Sequence, residues 1–256
     1  MSTLENAASV LGLFNHYGVT QGHTGLSFTE VVSALSLPKS TVSRLLTTME
    51  AQGFLERDPE TRSFHIGRVL LSAASHYLST PLVDSASTLM AQLSVESRCT
   101  CYISVLERRE IMVMRMFQGR QFLQVVTPAG SRSPAAETST GRAILARYSN
   151  DDVRELYKNA WPERGTGNSL PELESLIEKL ELVRQQGWAL ACNESLQGIS
   201  SMATAVTNKH RGETVGLGVT FPSLETSPYY ARPVLDALMC VARQLRSNFG
   251  DRDFHN

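Results

Sequence analysis

The chain predicts an α+β architecture in two parts. Three helices and a β-hairpin come first, and a linker helix leads to a larger domain of helices around a mostly antiparallel sheet. Three observations predict it. Apolar residues recur at helical spacing up to residue 53. Two short β-like stretches then flank the turn Asp58-Pro59-Glu60. From about residue 82, amphipathic helices mix with apolar strands of roughly alternating pattern.

In order, "LENAASVLGLFNHYG" carries Leu4, Ala7, Ala8, Leu11 and Phe14 as a helical stripe that ends at Gly18. Ser27 and Glu30 form a capping-box pattern, so a second helix starts near Phe28. Pro38 suits the first turn of a third helix, whose Val42, Leu45, Leu46 and Met49 share one face. Gly53 closes it, and "FLERDPETRSFHIG" reads as a hairpin with a longer loop. Three helices and a hairpin in so few residues make a winged helix-turn-helix, placed at residues 1–67. "GRVLLSAASHYLST" is a linker helix over 68–80, with apolar residues beyond one stripe that suit a partner subunit.

With its apolar side buried, the third helix turns Ser40, Arg44 and Thr47 outward, flanked by Ser43 and Thr48. Its first acid is Glu50. Arg pairs with a guanine edge, while Lys39 and short hydroxyls reach phosphates or bases. The candidate DNA contacts are therefore Lys39, Ser40, Thr41, Ser43, Arg44 and Thr47 on this helix and Arg62 in the hairpin. Against this, the first 78 residues are not basic overall, and net charge for the chain is −1. The cations cluster on the helix and hairpin, so a dimer that doubles the contacts is expected.

The second domain, residues 81–256, begins with the helix "VDSASTLMAQLSVES". "CTCYISVLE" and "IMVMRMFQ" are strands joined at Arg108-Arg109, "FLQVVTP" is a third strand, and "AGSRSPAAE" is a loop. "TSTGRAILARY", "DDVRELYKNA" and "PELESLIEKLELVRQQG" are helices. "WALACNES", "SSMATAVTN" and "TVGLGVTFP" are strands, and "ARPVLDALMCVARQLRSNF" is the closing helix. Thr138, Ser139, Thr140 and Gly141 open a helix, where free amides and hydroxyls suit a carboxylate. The same residues equally suit simple capping. Gly218 and Thr220 lie two apart on one strand and share its face.

The four cysteines and six histidines show no metal-ligand spacing, so no metal or cofactor is expected. No nucleophile elbow, P-loop, dinucleotide fingerprint or zinc-protease helix is present, which argues against an enzyme. No apolar run approaches the ~20 residues of a membrane span, and there is no signal segment at the N-terminus. A cytoplasmic protein with no membrane partner is the expectation.

On "LPKSTVSRLL", "GFLERDPETRSFHIG", "GSRSPAAETSTGRAILA", "QQGWALACNESLQGISSMATAV" and "VGLGVTFP", in that order, the chain resembles the IclR family of bacterial transcription regulators from about Leu4 to Phe249. The resemblance implies a DNA-binding homodimer or tetramer with a GAF-like C-terminal domain that binds a small metabolite. It places the effector pocket at Ser139, Thr140, Ala191, Ser201, Gly218 and Thr220, beside the Gly141 of the helix start. Repression is the family's commoner habit, with activation compatible. Two departures stand out. Ala191, Cys192 and Asn193 replace an acidic cluster of which Glu194 remains, and Ser201 replaces a frequent cysteine. Fewer acids leave less repulsion toward an anion, and a small organic acid with an apolar part is expected. The rival reading is a module that binds proteins or ligands and never touches DNA.

Overall fold

The computed structural model describes residues 2–21, 25–120, 127–158, 161, 170–223 and 228–251. They form two compact units, Met1–Ser79 and Thr80–Asn256.

The first unit runs α1 (Thr3–Gln21), α2 (Phe28–Leu35), α3 (Lys39–Ala51), β1 (Leu55–Arg57), β2 (Phe64–Ile66) and α4 (Arg68–Leu78). α2 begins at a capping box in which Ser27 Oγ accepts from the Glu30 amide and the Ser27 amide donates to the Glu30 carboxylate. Pro38 sits just outside α3, at its N-cap. Val42, Leu45, Leu46 and Met49 pack with Val10, Val31, Leu55 and Phe64 into one buried cluster.

α1 departs from expectation twice. Its backbone continues past Gly18 to Gln21, because one glycine weakens a helix by about 1 kcal/mol without ending it. Leu4 and Ala8 are exposed, and Val10 takes the core position beside the half-buried Ala7, Leu11 and Phe14. The hairpin register pairs Leu55 with Ile66 and Arg57 with Phe64. Leu26 and Phe64 then exchange two backbone hydrogen bonds of 2.9 and 2.8 Å, which ties the wing to the segment before α2.

The second unit runs α5 (Pro81–Ser97), β3 (Thr100–Glu107), β4 (Glu110–Phe117), β5 (Arg132–Pro134), a 3-10 turn (Ala135–Glu137), α6 (Ser139–Leu145), α7 (Asn150–Tyr157), α8 (Leu173–Gln186), β6 (Ala189–Cys192), β7 (Ile199–Asn208), β8 (Glu213–Pro222) and α9 (Pro228–Phe249). The sheet order is β5-β4-β3-β8-β7-β6, and every neighbouring pair is antiparallel. The strand expected at "FLQVVTP" lies outside the described residues apart from Thr127 and Pro128. The stretch "AGSRSPAAE" is more than a loop, since it holds β5 and the 3-10 turn. Pro134 is tolerated there because β5 is an edge strand.

The two sheet faces are covered differently. α5 and α9 pack against one face, where Arg246 of α9 donates to Thr204 Oγ1 at 2.7 Å. α6 presses on the other, over Gly216 and Gly218. Cys99 and Cys101 are both fully buried, and burial pushes the Cys101 thiol well up. Among the described residues, no three His, Cys, Asp or Glu side chains gather as a metal site, and no helix is long and apolar enough to cross a membrane.

Candidate functional site

Two places concentrate side chains that the packing does not require, one in each unit. The first is the outer face of α3. Burial of Val42, Leu45, Leu46 and Met49 fixes the helix rotation, so Lys39, Ser40, Ser43, Arg44 and Thr47 are all exposed, and Thr41 is half-buried. Thr48 Oγ1 turns back to the Arg44 carbonyl at 2.8 Å, as serines and threonines in helices often do.

Arg62 stands apart from this face, exposed in the wing loop with φ of +61°. The loop holds its shape through Asp58. One carboxylate oxygen accepts from the amides of Glu60 at 2.9 Å and Thr61 at 2.7 Å. Those bonds, that of the Thr61 amide above all, hold the Asp58 carboxyl below its usual range. Arg57 lies over the Phe64 ring at 5.0 Å and donates from Nε to the Arg62 carbonyl at 3.3 Å. Gly67 permits the wing to turn back, since a Cβ there would meet the Gly53 carbonyl oxygen at 2.1 Å.

The second place is a cavity of about 110 Å³ on the α6 side of the sheet. Register builds its floor. Ala191 pairs with Ser201, Ser201 with Thr220, Thr220 with Thr100, Gly218 with Tyr102, and Ser104 with Val113. Alternation therefore puts Ala191, Ser201, Gly218, Thr220, Tyr102, Ser104 and Val113 on one face. Ser139 and Thr140 of α6 form the opposite wall. The mouth holds Ser195 and Leu196, both exposed.

Ser139 Oγ donates to Ser201 Oγ at 2.8 Å, and Thr220 Oγ1 donates to the Thr100 carbonyl at 3.2 Å. Burial raises the Tyr102 phenol, and its hydrogen bonds with Thr127 and Thr220 oppose that shift. Apolar side chains, Ile111, Val113 and Ile199 among them, fill in between.

Of the residues expected here, Ser139, Thr140, Ala191, Ser201, Gly218 and Thr220 all line this cavity. Gly141 does not. Its amide is taken by the N-cap Thr138 Oγ1 at 3.1 Å, and a Cβ there would strike the Ala135 carbonyl oxygen at 2.2 Å. Gly141 is a packing residue that lets α6 cross the 3-10 turn. Gly218 has a packing role too, because a Cβ there would meet Thr140 Cγ2 at 2.6 Å.

Sequence reasoning missed Arg142. It is fully buried, donates to the Ala136 carbonyl at 2.8 Å and the Leu190 carbonyl at 3.1 Å, and grips Glu194 with both guanidinium nitrogens. Glu194 lines the cavity, so its charge reaches a ligand already neutralised. Tyr102 and Ser104 were also missed, since alternation groups them without showing which face meets α6.

Comparison with known proteins follows the same division. Residues 75–247 match the model described as the bacterial transcriptional regulator IclR C-terminal domain, and residues 3–59 match the IclR helix-turn-helix domain. The HTH-type transcriptional regulator KdgR of Dickeya chrysanthemi is 25% identical over 251 residues, covering 98% of this chain and 82% of KdgR. The HTH-type transcriptional repressor AllR of Salmonella typhi is 24% identical over 198 residues, covering 77% of this chain and 73% of AllR. Among solved structures, an IclR homolog of Microbacterium hydrocarbonoxydans complexed with 4-hydroxybenzoate superposes with a TM-score of 0.79 at 19% identity, covering 96% of this chain and all of that one.

Proposed function

The chain belongs to the IclR family of bacterial transcriptional regulators, and from that premise we propose that it is an operator-binding repressor released or retained by a small organic acid. The observation that carries the reading is the α3 face. Lys39, Ser40, Ser43, Arg44 and Thr47 are exposed while the same helix supplies four core residues, so those polar groups have no packing duty. In this reading Arg44 pairs with a base edge in the major groove. Lys39, Ser40, Thr41, Ser43 and Thr47 contact phosphates or neighbouring bases, and Arg62 on the wing adds a phosphate contact.

Few cations serve that surface, so each protomer alone binds weakly, and a homodimer or tetramer in the cytoplasm is part of the proposal. The repressor sign rests on relatives such as AllR, whose name carries it. The effector is placed in the α6 cavity, against Ser139, Thr140, Ser201 and Thr220. Ser201, which accepts from Ser139 and keeps its own hydrogen, suits a carboxylate, the apolar lining suits a hydrocarbon body, and a relative of this fold holds an aromatic hydroxy acid.

Binding to DNA fragments from upstream of its own gene, titrated with salt, tests the reading beside Arg44→Ala. Specific, salt-sensitive binding is expected, with a loss of about 1–3 kcal/mol in the variant. A protein-interaction module predicts no salt-dependent DNA binding in either protein. If genomic fragment libraries supplemented with metabolite pools also gave none, the regulator reading would fail.

A further inference from the structure

Ser104 is 1% exposed, lines the α6 cavity, and its hydroxyl has no hydrogen-bond partner among the described residues. Buried hydroxyls in native proteins are almost always paired, because a lone one forfeits its bonds to water with nothing in exchange. The surroundings offer Ser104 little else. It stands across from Val113 on β4 and from Gly216 on β8, and Gly216 is covered by Thr140 and Ile144. The β3–β4 register also slips between Ile103 and Ser104, a bulge of the kind that re-aims side chains beside binding sites.

From this we propose that Ser104 is the second hydrogen-bonding anchor of the effector, and that the effector carries a hydroxyl or carbonyl at the end opposite its carboxylate. The inference rests on the proposal that an organic acid occupies this cavity. The fold also separates the two ends. Thr220 pairs with Thr100 and Ser104 with Gly216, four residues further along β3. That separation is roughly 13 Å at the rise of a strand. Thr220 gives its hydrogen to the Thr100 carbonyl, while its neighbour Ser201 accepts from Ser139 and keeps its own hydrogen for a carboxylate, which places the acid end there. The carboxylate and the far polar group then lie at opposite ends of the ligand, as in a para-hydroxy aromatic acid or a straight-chain acid hydroxylated at its far end. Tyr102 lies between the two ends on β3, and Val113 and Ile111 line the cavity beside and beyond Ser104.

Matched pairs of acids test this on the full chain: 4-hydroxybenzoate against benzoate, and 5-hydroxypentanoate against pentanoate. Calorimetric affinities are measured for the wild type, Ser104→Ala and Ser201→Ala. In at least one pair the wild type should prefer the hydroxylated member by about tenfold, the worth of a hydrogen bond that a site is built to make. Ser104→Ala should erase that preference by weakening the hydroxylated member more than the plain acid. Without ligand, Ser104→Ala should melt no lower than the wild type, since the lost hydroxyl has no hydrogen bond among the described residues.

Equal binding of both members by the wild type, or a preference that survives in Ser104→Ala, overturns the role of Ser104. Provided Ser201→Ala still weakens both members, that outcome leaves the acid-binding reading standing. If no acid of either pair binds, both fail together, and DNA binding is judged by its own assay.

Discussion

Arg142 and Glu194 are 52 positions apart, and their pairing is the strongest single polar commitment in the second unit. A buried ion pair adds little net stability over a well-packed apolar pair, yet removing one partner strands the other charge in a low-dielectric interior. Arg142→Leu should therefore cost about 3–5 kcal/mol, read as an earlier urea transition of the second unit with the first unit's unchanged. A loss under about 1 kcal/mol would mean that solvent reaches Glu194 freely. No local pattern in "TSTGRAILARY" announces this arginine as buried. Its helix is short, and only the strand carrying Leu190 and the turn carrying Glu194 close over it.

At the scale of elements, α6 and β8 meet so closely that glycines are required between them. Gly218→Ala should cost about 1–3 kcal/mol by overpacking, because Thr140 sits in a helix that cannot retreat. Adding Thr140→Ser removes the Cγ2 that the new methyl strikes, so the double variant should recover much of the loss. Additive losses would show that the contact is not the cause. The wing offers a pH test. Asp58 is held below its ordinary value of 3.8, chiefly by the Thr61 amide. A depressed carboxyl stabilises the folded wing above its unfolded value, and that contribution fades as pH falls from 3.8 through the lower folded value. Hydrogen-exchange protection at Glu60 and Thr61, corrected for intrinsic exchange, should fall over that window. In Asp58→Ala it should be low throughout. Turn chemistry of this kind was legible as Asp-Pro-Glu between two short strands. β5 was not, because three residues ending in proline carry too little pattern to distinguish an edge strand from a loop.

For the whole molecule, the proposed function requires that an acid in the second unit change how the first unit reads DNA. α4 is the covalent route, and Val69 and Leu71 on it are 46% and 70% exposed, as suits packing against a second subunit. A coupling of about tenfold to a hundredfold would suffice. Linkage makes it reciprocal, so operator DNA should change the affinity of the best-binding acid by the same factor that the acid changes operator affinity. Unequal factors at equilibrium would mean that the acid acts elsewhere. The sequence alone determined the element order apart from β5 and the 3-10 turn, the apolar face of α3 and hence its exposed face, the capping box of α2, and, through the family resemblance, six residues of the cavity's lining. These depend on residues within a turn of helix or two positions of a strand, where spacing decides which side chains share a face. The partner of Arg142, the packing role of Gly141 and the place of Ser104 in the cavity were decided by the tertiary structure. Each depends on which sheet face α6 covers and on contacts between residues far apart in the chain, and periodicity carries no information about either.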